Sequence, residues 1–202
     1  MKDEKQLVLF FSKNTKIEGA ILAAKLTSKF SVLGAPAVIP FNSNKPNQPL
    51  IIFNKESINL NISNFDVSFI YDSEGHEKTF ETVIEIIEYL EDLDYSFERM
   101  GYVSSFLHSK KERKAFKENI FKDPEMFDSE FQISWYKREL IDSVSVNVWE
   151  KDMTDMMNGI DFISVFDINT PIDEVYNITS EFLDNFIKKC DKYIANHDKK
   201  FK

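Results

Sequence analysis

The chain has 202 residues, 43% of them hydrophobic and 29% charged, with a formal net charge of -9. That length and balance support a buried core without disulfides or metal and exclude wholesale disorder. The single cysteine, Cys190, excludes an intramolecular disulfide, and five scattered glycines leave no phosphate-cradling loop of the Walker or dinucleotide type.

The charged start, Met1–Lys5, is followed by an apolar run of five residues, Leu7–Phe11. This is too short for a signal peptide's apolar region, and no later run approaches a membrane span, so a cytoplasmic protein is expected. Leu7–Phe11 reads as a buried strand. The apolar spacing predicts a helix from about Lys16 to Phe30 with Ile17, Ala20, Ile21, Ala24 and Leu26 toward the core. Val32–Phe41 reads as extended and broken by Pro36 and Pro40, and Asn42–Pro49 as a loop.

From Leu50 the period becomes two. Leu50–Phe53, Ile58–Ile62 and Phe65–Tyr71 read as three strands, the third with Phe65, Val67 and Phe69 on the apolar side. A helix over Lys78–Asp94 follows, with Phe80, Val83, Ile84, Ile87 and Leu90 as its apolar stripe, and then a strand over Tyr95–Leu107. Ser109 is placed to cap a short basic helix that Asp123–Pro124 ends. The alternation resumes in Glu130–Leu140, Ser143–Glu150 and Ile160–Ile168. A last helix from about Ser180 to Asn196 buries Phe182, Leu183, Phe186, Ile187, Cys190 and Ile194, with Thr179 or Ser180 as its cap.

This order predicts an α+β fold, a mainly antiparallel sheet with helices packed on one face, in a single domain spanning 1–202. Three strands then a helix occurs twice, so two β-β-β-α units, in halves 1–107 and 108–202 sharing one sheet or core, are the architectural alternative. Phe97-Glu98-Arg99-Met100-Gly101-Tyr102 and Val165-Phe166-Asp167-Ile168-Asn169, in this order of elements, resemble a sporadically distributed family of bacterial α+β proteins without an assigned activity. That resemblance implies a fold and no active site.

Charge is the sharpest functional signal. Ten acidic residues lie between Asp72 and Glu98 against one base, Lys78, so this segment alone carries the net charge of the chain. Glu81, Glu85, Glu88 and Asp92 fall on one helical stripe. Like charges at this spacing cost an isolated helix roughly 0.2–0.5 kcal/mol per pair, so helix stability does not ask for the pattern. It is either a solvated face or a surface for a basic partner. Lys110–Lys122 and Lys188–Lys202 are basic, and so lopsided a molecule also suits self-association. Nucleic acid is not expected as a direct ligand, because phosphate contact needs a basic surface.

A second candidate surface combines Trp135, Tyr136 and Arg138 with Trp149, aromatic and arginine side chains of the kind enriched at interface hot spots. The bland alternative is two core tryptophans flanked by surface charge. Met153, Met156 and Met157 suit an adaptable contact or gap-filling under a loop. Asp128, Glu130, Glu139, Asp142, Glu150, Lys151 and Asp152 are the carboxylates and lysine from which a metal-dependent site would be built, but their spacing matches no nuclease pattern. His76 and His197 read as solvated, the latter in a frayed tail. His108 ends a strand beside Ser104, Ser105 and Ser109 without an orienting acid or oxyanion hole. Neither zinc spacing nor any cofactor motif is present, and Cys190 reads as a small buried apolar residue.

The expectation is therefore a cytoplasmic, non-enzymatic interaction protein: an acidic binding module or an inhibitor- or immunity-type factor, suited to a defence or counter-defence system. A metal-dependent enzyme of unrecognised type and a structural homodimer are the alternatives.

Overall fold

The computed structural model describes residues 4–12, 15–55, 58–72, 76–109, 111–112, 114–115, 118, 134–141, 144–155, 159–172 and 178–198. Among the described residues nine strands form one sheet: β1 (Glu4–Phe11), β2 (Ala37–Val38), β3 (Ile51–Lys55), β4 (Ile58–Ile62), β5 (Asp66–Asp72), β6 (Phe97–His108), β7 (Ser134–Ile141), β8 (Val144–Asp155) and β9 (Gly159–Pro171). Their order is β2-β3-β4-β5-β1-β6-β9-β8-β7, and every neighbouring pair is antiparallel. The helices described along their length are α1 (Gly19–Lys29), α2 (His76–Asp92) and α3 (Ser180–Asp198). The fold is α+β.

The two meanders flank a central pair. β3-β4-β5 ends beside β1, β7-β8-β9 ends beside β6, and β1 pairs with β6. Each opening strand is thus followed by a meander whose last strand returns to it, and by a helix, α2 or α3. The matching arrangement begins at β6, so β6 belongs topologically with the second meander. Helical residues 111, 112, 114, 115 and 118 stand where α1 stands in the first.

Antiparallel register puts directly opposed residues on the same face. Leu7 opposes Phe69 on one side and Tyr102 on the other, and Leu9 likewise opposes Val67 and Met100. All six are buried, in one cluster with Leu22 and Leu26 of α1, Ile87 and Leu90 of α2, and Leu183 and Ile187 of α3. The three helices therefore cover one face. Fully burying each such side chain contributes roughly 1.5–3 kcal/mol, which makes this layer the main stabilising element.

Two expectations about faces are corrected. In α1 the buried residues are Leu22, Ala23 and Leu26, whereas Ala20, Ile21 and Ala24 are exposed. Ile17, just before the helix start at Gly19, packs against the core as expected, and within the helix Leu22 and Ala23 join the expected Leu26 on the buried face. Phe65 is exposed too, because it occupies the turn before β5. There the Ser63 hydroxyl accepts hydrogen bonds from the Phe65 and Asp66 amides at 3.0 and 3.1 Å. Val32–Phe41 contains a short 3-10 turn, Ser31–Leu33, and β2 in place of a continuous extended segment.

The capping signals hold. The Ser109 amide donates to Glu112 Oε2 at 2.8 Å, while the Ser109 Oγ accepts from the Glu112 amide at 3.3 Å, a reciprocal capping box. Thr179 Oγ1 accepts from the Phe182 amide at 3.2 Å at the start of α3. The Asp123–Pro124 stop and the beginning of the strand expected from Glu130 lie outside the described residues.

Candidate functional site

The α2 sequence divides cleanly by face. Val83, Ile84, Ile86, Ile87 and Leu90 are buried in the core shared with the sheet and α1, and beside them Tyr89 packs T-shaped with Phe30, the residue after α1, ring centroids 5.5 Å apart. Glu81, Glu85, Glu88 and Asp92 are all exposed on the outside. Among the described residues none of these four carboxylates forms an ion pair. Glu91, at the flank, is half-buried. Burial pushes its carboxyl above the usual range, a hydrogen bond from the Ile178 amide works against this, and Glu88 and Asp92 add repulsion. Among the described residues the stripe is thus a row of uncompensated charge on a helix whose opposite face is buried.

The second sequence-predicted surface is partly assembled. β7 and β8 oppose Tyr136 to Trp149 and Arg138 to Asn147, so these four share the sheet face away from α1, α2 and α3. The Tyr136 and Trp149 rings lie 5.2 Å apart, and the Tyr136 hydroxyl donates to Asn147 Oδ1 at 2.9 Å. Tyr136 is 51% exposed. Trp135 is set apart from this group: it opposes Glu150, one position out of phase in β7. Of the three methionines, Met153 lies in β8, and Met156 and Met157 fall outside the described residues.

Comparison with protein-family models, curated proteins and solved structures finds no match. Function is therefore argued from this chain's own surfaces.

The histidine expectations need correction. His197 is buried at 8% exposure, its Nε2 lying 3.3 Å from Glu150 Oε1 and its ring edge-on to Phe166. Cys190, Ile194 and His197 follow i, i+4, i+7 spacing, and α3 continues through Asp198, so His197 extends the core stripe instead of fraying. His108 is also buried, and its Nε2 meets Ser164 Oγ at 2.7 Å, a serine of β9 and none of its sequence neighbours. Glu150 opposes Ser164 across β8 and β9, so the partners of the two buried imidazoles are neighbours on the helix-covered face. His76 opens α2. The signal for His197 was available in its spacing from Ile194; the signal for Ser164 was not, because it depends on strand order.

Two carboxylates of the second meander, Glu139 and Glu150, are otherwise engaged. Glu139 accepts from the Tyr193 hydroxyl at 2.7 Å and pairs with Lys137. Among the described residues no three His, Cys, Asp or Glu side chains converge as a metal site. Asp128, Glu130 and Asp142 lie outside those residues, as do the side chains of Lys151 and Asp152. Cys190 is buried at 2% exposure, and burial pushes its thiol far up, against thiolate chemistry. Among the described residues no helix is long and apolar enough to cross a membrane.

Proposed function

We propose that this chain is a non-enzymatic binding protein, an inhibitor- or immunity-type factor, whose α2 stripe of Glu81, Glu85, Glu88 and Asp92 engages a basic partner protein. One observation carries this reading: four exposed carboxylates on one helix face, none neutralised within the described chain, backed by a fully buried apolar face. A concentrated single-sign field steers oppositely charged partners and raises association rates. Because the charges are exposed, binding weakens as salt shortens the Debye length from about 30 Å at 0.01 M to about 10 Å at 0.1 M. Reversing all four charges abolishes binding while the fold survives. Binding that persists in the reversed protein contradicts the proposal.

A second reading has its own support. β7 ends the described sheet order, and it carries Tyr136 and Leu140, exposed at 51% and 76%. An edge strand with exposed apolar side chains is a pairing surface for a second copy of the chain. Solution mass that falls on dilution supports this reading, and a constant monomer mass opposes it.

A further inference from the structure

The sheet face away from the three helices holds two arginines in a setting that the α2 reading does not use. We propose that a cleft lined by Phe10, Arg99, Arg138, Asn147, Asp167 and Asn169 binds a small oxyanion ligand, one whose carboxylate or phosphate group is held by the two guanidinium groups. The cleft measures about 340 Å³, within the range of small-molecule sites.

Two of its lining side chains, Phe10 and Asn169, are packed over one glycine. Gly101 on β6 opposes Asn169 on β9, and a Cβ at Gly101 would lie 2.9 Å from Asn169 Oδ1 and 3.5 Å from the Phe10 ring. Bare backbone there lets the Asn169 side chain and the Phe10 ring close in over β6, and both side chains line the cleft. The next row of the same face runs Asp167, Asn147, Arg138 across β9, β8 and β7. The row is fixed by hydrogen bonds: the Asn169 amide donates to Asp167 Oδ1, and the Tyr136 hydroxyl donates to Asn147 Oδ1.

Its charge selects the ligand. The Arg99 guanidinium carbon sits 3.9 Å from the centre of the Phe10 ring, so an apolar platform supports one face of the cation and leaves its N–H edges free. Among the described residues neither Arg99 nor Arg138 forms an ion pair. The one lining carboxylate, Asp167, is held by Asn169. In a chain of net charge -9, two uncompensated arginines around one cleft reverse the prevailing sign. The guanidinium fork matches carboxylate and phosphate geometry, which a point-charge lysine would not.

Calorimetric or NMR titration of the full chain with inorganic phosphate, and separately with citrate, tests this. Saturable one-site binding of either is expected, and the tighter of the two assigns the group as phosphate or carboxylate. Arg138→Gln, a change to an exposed side chain, weakens binding at least about tenfold with unchanged Tm, whereas Arg138→Lys weakens it less. Gly101→Ala also weakens it by displacing Asn169. Charge reversal on α2 leaves it intact, which separates this site from the partner surface. Absence of saturable binding to both anions, or binding unaffected by Arg138→Gln, overturns the proposal.

Discussion

The hydroxyl of Tyr102 donates to Asp191 Oδ1 at 2.9 Å, joining a fully buried residue of the central strand β6 to the middle of α3. Lys5 of β1 reaches the same carboxylate oxygen at 3.0 Å. One aspartate thus ties the C-terminal helix to both strands of the central pair. Asp191→Ala removes the acceptor from a buried hydroxyl and from Lys5, and is expected to cost about 1–3 kcal/mol in urea unfolding. Tyr102→Phe, which deletes only a donor and keeps the ring, costs less, about 0.5–1.5 kcal/mol.

Near the C-terminal end of α3, His197 meets Glu150 of β8, and both are buried. A double-mutant cycle with Glu150→Gln and His197→Phe is expected to give a coupling on the order of 0.5–3 kcal/mol, as for residues in direct contact. Additive effects of the two changes would mean that the contact does not stabilise α3.

The raised pKa of Glu91 gives a pH-dependent prediction. Folding favours its protonated form, so its contribution to stability is full below the unfolded carboxyl value of about 4.3 and is lost as pH rises through the higher folded value. Burial is the largest cause, with Glu88 and Asp92 adding to it. Glu91→Gln keeps an acceptor for the Ile178 amide and removes the charge. Its Tm should exceed that of the parent at pH 7, and the difference should shrink toward pH 4. An unchanged or lowered Tm at pH 7 would refute this.

Glu85→Lys separates function from stability. It places a lysine four residues after Glu81 and three before Glu88, replacing repulsion by attraction worth roughly 0.2–0.5 kcal/mol per pair. The variant should unfold at equal or higher urea concentration and still bind the basic partner more weakly. A stripe that served the fold would lose stability on this change.

Much of this was legible from local pattern. The period-two alternation of Ile58, Leu60 and Ile62, all buried, fixed β4, and the Ser109 and Thr179 caps marked helix starts. The outward stripe on α2 followed from helical spacing alone. What failed depended on long-range context. Ile21 has the right spacing for a core residue, but the face of α1 that meets the sheet carries Leu22 and Ala23 beside the expected Leu26, and Ile21 stays exposed. Arg99 and Arg138 lie 39 positions apart in sequence and share a cleft only because β9 and β8 lie between their strands. No local pattern announces that juxtaposition, just as none pairs His108 with Ser164.

The most direct test of the α2 surface is a low-salt pull-down from lysate of the source cells, with bound proteins identified by mass spectrometry. It is run beside the variant carrying Glu81→Lys, Glu85→Lys, Glu88→Lys and Asp92→Lys, after circular dichroism has shown the same fold for both. The account predicts a basic protein retained by the parent chain, released by salt and lost from the variant. The same proteins retained equally by both would contradict it and return the stripe to the role of a solvated helix face.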